Sequence, residues 1–213
     1  MNVFVSGGCK NGKSYFAQRL AKEMAEEKNL PLYYVATMRP TDEEDKARIR
    51  RHIEDRDGWG FVTIEQAEDI CKALKQCGTA ENREAESIAN RRCERARGEA
   101  EAESAQVQGV FLLDSVTALL SNEMFAADGS IHPEAGAKVA EDLKRFAELT
   151  GNTVFVSDYI YSESRLFDEL TEKYRESLAL CDRTLAAACE QVYEVTYSIA
   201  KSHKNGTNPI NGI

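Results

Sequence analysis

Apolar residues in this chain fall into short unbroken runs, and amphipathic or charged stretches separate them. The runs "NVFV", "LYYVATM", "FVTI", "GVFLLD", "NTVFV" and "VYEVTYS" are rich in β-branched and aromatic residues, as strands buried on both faces are. Between them "KSYFAQRLAKEMAEEKN" places Phe16, Leu20 and Met24 at four-residue spacing, which predicts a helix with one apolar stripe closed by Asn29 and Pro31. The stretches "DEEDKARIRRHIEDR", "AEDICKALKQC", "SVTALLSNEMF" and "AGAKVAEDLKRFAELTG" read as further helices. "SRLFDELTEKYRESLALCDRTLAAACEQ" reads as one long helix or a pair. Six or seven strands alternating with helices predict an open, mostly parallel α/β sheet flanked by helices.

Two segments depart from this alternation. Residues 81–104 hold seven Glu and five Arg with little beyond Ile88 and Cys93 to bury, and they read as an exposed helical insertion stabilised by its own i,i+4 pairs. The polar, turn-rich "KSHKNGTNPINGI" reads as frayed, so a single domain is expected over residues 1–204 with a tail at 205–213. At 213 residues and 42% hydrophobic content the chain suffices for one sizeable core and is short for two. A formal charge of -9 argues against a nucleic-acid or anionic-membrane binder, while leaving room for a local basic pocket. No apolar run reaches 18 residues and no signal peptide is visible, so a cytoplasmic protein is expected. The six cysteines form no C-x-x-C pair, which disfavours zinc and thioredoxin-like readings and suits reduced thiols.

The strongest chemical signal is the run Gly7, Gly8, Cys9, Lys10, Asn11, Gly12, Lys13 and Ser14, which fits G-x-x-x-x-G-K-[ST] between an expected strand and an expected helix. In such a loop the glycines let backbone N–H groups face phosphates, the lysine reaches the terminal phosphates, and the hydroxyl binds Mg²⁺. The fold expectation therefore narrows to a P-loop NTPase type with a RecA-like sheet. Asp114 ends "GVFLLD", as an acid that holds magnesium beside Ser14 does, but it is equally placed to cap the next helix, a job Ser115 can also do. His52 sits among arginines 48, 50, 51 and 56 on a charged stretch. Such a histidine is ordinarily solvent-facing, yet a neutral imidazole also serves as base or nucleophile near pH 7.

The segments "VSGGCKNGKSYFAQRLA", "YYVATM", "DEEDKARIRRHIEDR", "LLDSVTALLSNEMF" and "VFVSD" occur in an order and spacing that resembles the bifunctional adenosylcobinamide kinase/adenosylcobinamide-phosphate guanylyltransferases of cobalamin assembly. The specific part is "ATxxxxDxE…RIxxHxxxR", matched by Ala36, Thr37, Asp42, Glu44, Arg48, Ile49, His52 and Arg56. The resemblance spans residues 1–68 and 109–198. It implies that the histidine, here His52, attacks the α-phosphate of GTP and forms a guanylyl–histidine, and that the same enzyme phosphorylates a hydroxyl of the corrinoid. It further implies a nucleotide site of residues 7–14, Ala36, Thr37, Met38, His52, Ile53, Glu54, Asp55, Glu65 and Asp114, with Lys13 and His52 catalytic and Ser14 and Asp114 on Mg²⁺. Glu65, after "FVTI", either receives the guanine or ribose or is a plain surface acid. GTP (or ATP) is the implied substrate, a corrinoid the implied partner, and a small cyclic homo-oligomer, a trimer, the implied assembly.

One departure stands out. Where the family carries "NEVGxGIVP", this chain reads "SDYIYSESRL", with Asp158 for the Asn, Tyr159 for the Glu, and no Gly-x-Gly-x-x-Pro turn. Two rivals therefore stand beside the bifunctional reading: a plain small-molecule P-loop kinase with a passive His52, and a GTP-binding paralogue without catalysis.

Overall fold

The apolar runs become strands and the stretches between them become helices. The computed structural model describes residues 1–40, 43–54, 56–77, 107–161 and 164–206, with backbone only at 44–46, 48, 51 and 52. The expected insertion at residues 81–104, with Asp42 and Asp55, lies outside the described residues. Strands β1 (Val3–Gly7), β2 (Leu32–Ala36), β3 (Phe61–Glu65), β4 (Val110–Asp114), β5 (Thr153–Asp158), β6 (Gln191–Thr196) and β7 (Ile199–Asn205) make one sheet in the order β3-β2-β4-β5-β1-β6-β7. Every neighbouring pair is parallel except β6 and β7. Helices α1 (Lys13–Lys28), α2 (Glu43–Glu54), α3 (Val116–Met124), α4 (Ala135–Thr150) and α5 (Glu169–Ala188) connect the strands, with a 3-10 turn at Ile70–Gln76. The strand preceding the phosphate loop, β1, is thus separated from the acid-ended β4 by β5, the RecA-like arrangement.

The two faces of the sheet bury different cores. On one, Val3, Val5, Tyr34, Leu112 and Val154 pack against α1. On the other, Phe4, Tyr33, Phe111, Leu113 and Phe155 meet α3, α4 and α5. Helix α1 differs from expectation in its stripe. Ala17, Ala21, Met24 and Ala25 are buried while Phe16 and Leu20 are only partly so, because small residues let the helix lie close to the sheet and the larger ones wedge at its edge.

Two other expectations are corrected, and one open alternative is resolved. "ICKALKQ" is a 3-10 turn rather than an α-helix, entered through Asp69 at φ 47°. The long helical stretch is one helix, α5, which Asp168 caps by accepting from the Thr171 N–H. Lys201 to Asn205 are not frayed but lie in β7, paired antiparallel to β6. Among the described residues no helix is long and apolar enough to cross a membrane.

Lys138 fastens the 3-10 turn to the helices. Its ammonium lies 2.8 Å from Asp69, 2.7 Å from Glu123 and 3.3 Å from Asp142. Bonds from Lys138 and Lys72 hold the Asp69 carboxyl down at about 2. The three carboxylates thus surround an ammonium already in place.

Candidate active site

Parallel pairing sets the carboxyl ends of the strands abreast, where α/β sheets bind ligands. Glu65 of β3 pairs with Ala36 of β2, Ala36 with Asp114 of β4, and Gly7 of β1 with Asp158 of β5. Residues far apart in sequence therefore form one rim, and the phosphate loop closes over it between β1 and α1.

The loop's shape depends on two glycines. A Cβ on Gly7 would lie 2.3 Å from the Val195 carbonyl oxygen, and Gly12 holds φ +85° with Ser198 beside it. The loop is also pinned from the β6–β7 hairpin. The Tyr197 N–H donates to Asn11 Oδ1 at 3.4 Å, and the Ser198 N–H donates to the Asn11 carbonyl at 3.2 Å. Cys9 and Lys10 are exposed, and Lys10 carries φ 58°. The first turn of α1 contributes the positive end of its dipole.

Lys13 is 5% exposed, and its ammonium donates to the Gly8 carbonyl at 2.7 Å and to Asp158 Oδ1 at 2.6 Å. Asp158 is fixed in turn, since its N–H donates to Thr117 Oγ1 at 3.0 Å. The Tyr174 hydroxyl donates to the Thr117 carbonyl at 2.9 Å, and burial, aided by the charge of Asp158, raises its pKa well above the ordinary range. α3 and α5 thus support the acid that faces the lysine.

Asp114 stands free of capping duty. Ser115 is the N-cap of α3 and accepts from the Ala118 N–H, so the capping job falls to Ser115. Asp114 instead accepts the Tyr34 hydroxyl at Oδ2, 3.1 Å away. The Arg56 guanidinium stacks 3.5 Å over the Tyr34 ring and is 6% exposed. Burial, then the charge of Asp114, pushes the Tyr34 hydroxyl pKa well up, so it remains a donor. Ser14, half-buried at the start of α1, and Asp114 offer hydroxyl and carboxylate oxygens, a donor set that suits Mg²⁺.

The remaining expected residues divide. Thr37 is fully buried, and its hydroxyl donates to the Ser115 carbonyl and accepts the Ser115 N–H, both at 2.8 Å. Its own carbonyl accepts from Asn122 at 2.7 Å. Thr37 therefore locks the end of β2 to the start of α3, with Ala36 and Met38 on either side of that lock. Glu65 is exposed at the end of the edge strand. His52, Ile53 and Glu54 close α2; Ile53 and Glu54 are exposed, and the His52 side chain lies outside the described residues.

Tyr34, Thr117 and Asn122 were not singled out by sequence as parts of this site, whereas Arg56 was, as the last matched residue of the motif around His52. Tyr34 lies within "YYVATM", and Thr117 and Asn122 within "LLDSVTALLSNEMF", but no spacing in those segments marks them. Their roles come from contacts between strands and helices remote in sequence.

A glycine-rich loop between β1 and α1, a buried lysine at its root and an uncapped acid ending β4 define a P-loop nucleotide-binding α/β protein. The chain belongs to the cobinamide kinase / cobinamide phosphate guanyltransferase family, whose model matches residues 3–89 and 81–202. It is therefore a P-loop transferase of cobalamin biosynthesis. Among solved structures it is similar to a KaiC-like protein from Pyrococcus horikoshii OT3, at 13% identity over 91% of this chain and 69% of that one, with a TM-score of 0.43. It is also similar to the flagellar accessory protein FlaH from Methanocaldococcus jannaschii, at 15% identity over 96% and 78%, with a TM-score of 0.42. No curated protein matches the chain.

Proposed function

We propose that the chain binds GTP at the phosphate loop, phosphorylates the hydroxyl of adenosylcobinamide, and then guanylylates the product through His52. The observation that supports this best is the buried Lys13 ammonium, held 2.7 Å from the loop carbonyl of Gly8 at the mouth of a loop that can accept phosphates. The loop N–H groups and Lys13 stabilise negative charge that grows on the transferring and leaving oxygens. Magnesium, held by Ser14 and Asp114, supplies further charge neutralisation on the phosphates when bound. Glu65, at the rim and exposed, receives the guanine or the ribose.

In the guanylyl step an imidazole nitrogen of His52 attacks the α-phosphorus, a P–N bond forms, and the bridging P–O bond breaks to release pyrophosphate. A phosphate oxygen of adenosylcobinamide phosphate then attacks the same phosphorus and the P–N bond breaks. Two in-line displacements replace one difficult transfer. A homo-oligomer, a trimer, goes with this reading, as does the cytoplasm as its setting.

Incubation with α-labelled GTP tests the relay. Acid-labile label on the wild-type chain, and none on His52→Ala despite retained GTP binding, is the expected outcome. Full guanylyl transfer by His52→Ala would falsify the relay. Transfer of γ-label to cobinamide with no α-label on either protein would leave the simple kinase.

A further inference from the structure

Asp158 occupies the position where the resemblance expects an asparagine, and an amide cannot take up a proton while a carboxylate can. Its Oδ1 lies 2.6 Å from the Lys13 ammonium, the group that meets the terminal phosphates in a loop of this kind. A carboxylate at that distance borders the place the γ-phosphate takes. Its direction is fixed from two sides, by the strand register that sets it beside Gly7 and by the Thr117 hydroxyl on its N–H. Its side chain is 29% exposed, so an acceptor has access to it from solvent.

We propose that Asp158 is the catalytic base of the phosphoryl transfer, an inference that rests on the nucleotide reading above. Without nucleotide it holds the Lys13 ammonium. With the triphosphate in the loop, Lys13 turns to the phosphates and Asp158 is released toward the acceptor. The acceptor hydroxyl oxygen then bonds to the γ-phosphorus as its O–H proton passes to an Asp158 carboxylate oxygen. The bond from the γ-phosphorus to the β,γ-bridging oxygen breaks, and the electron pair leaves with the nucleoside diphosphate. The oxygens and the proton all balance within nucleotide, acceptor and side chain.

The groups that face Asp158 make the pH test specific. Lys13 faces it from α1, Thr117 from α3, and Tyr174 and Asp182 from α5. Of these, Asp182 is the other carboxyl, so it serves as the control.

The experiment measures binding of a fluorescent GTP analogue and γ-phosphate transfer to cobinamide, across pH, for the wild type, Asp158→Asn and Asp182→Asn. Asp158→Asn is expected to lower kcat on the order of 100-fold or more. It should keep nucleotide affinity within about threefold or tighten it, since Lys13 is no longer held by a carboxylate. The fall of kcat/KM on the acid side should vanish in Asp158→Asn and persist in Asp182→Asn. Retained binding also shows that the variant is folded. Undiminished transfer by Asp158→Asn, an unchanged acid limb, or loss of nucleotide binding would each overturn the role as base. So would a wild type that binds nucleotide yet phosphorylates no acceptor. A wild type that binds no nucleotide would instead remove the nucleotide reading on which the inference rests.

Discussion

A single buried carboxylate shows what a residue costs when it serves position rather than stability. Asp182 is 4% exposed in α5 and accepts the Tyr161 hydroxyl at 2.9 Å. Burial pushes its pKa from the ordinary 3.8 to about 6; the Ser157 and Tyr161 hydroxyls pull it back only in part, and the charge of Asp158 adds to the rise. A carboxyl whose folded pKa lies above its unfolded value keeps a proton in the folded chain that the unfolded chain gives up. Stability therefore falls as pH rises between those two values, and the deficit persists above the folded pKa. A shift of this size corresponds to roughly 3 kcal/mol at most. Asp182→Asn, which still accepts from Tyr161, should raise the melting midpoint by several degrees at about pH 8 and leave it little changed near pH 4. Equal gains at both pH values would show that the carboxylate is not the source of the penalty.

Among the elements, the β6–β7 hairpin carries the next expectation and also shows what sequence hides. Its two turn residues, Tyr197 and Ser198, have φ of 52° and 61°, a conformation that Asn and Gly adopt at lower cost. Replacing the pair by Asn-Gly should stabilise the fold by about 1 kcal/mol, read as a higher melting midpoint, because both N–H bonds to Asn11 remain. A lower midpoint would mean that the Tyr197 and Ser198 side chains hold the turn. Since that turn has no glycine and β7 is mostly exposed, neither a turn signal nor an apolar pattern marks the strand. Strands β1, β2, β4 and β5 were legible for the opposite reason: buried on both faces, they must be apolar throughout. The phosphate loop was legible because its function fixes residue types at fixed spacing. The pairing of Lys13 with Asp158, and the stacking of Arg56 on Tyr34 below Asp114, were not. They join residues from different elements, and only the strand order brings those together. The stripe on α1 was misjudged because alanines that allow close approach carry a weaker hydropathic signal than the Phe16 and Leu20 beside them.

For the whole molecule, net charge and site charge act in opposite directions. At a formal charge of -9 the chain repels an anionic nucleotide at a distance, so attraction must come from the loop itself. The loop bridges β1 and α1, is pinned by the β6–β7 hairpin, and faces Asp158 of β5, so a ligand there touches three parts of one cooperative sheet. A ligand that binds only the folded chain stabilises it by about 2.7 kcal/mol at a hundred times its Kd. For a chain of this length that amounts to a rise in melting midpoint of roughly 5 to 10 °C. GTP with Mg²⁺ should produce such a rise, and chelating the metal should reduce it if Ser14 and Asp114 hold the ion. Lys13→Met should abolish the shift by removing the cation proposed to meet the phosphates, while Asp158, 29% exposed, stays solvated and the unliganded protein still folds. Moderate salt should weaken the long-range repulsion and speed association, whereas a general anion site on a basic surface would lose affinity from the first addition of salt. A full thermal shift retained by Lys13→Met would mean that GTP stabilises the fold from somewhere other than the phosphate loop.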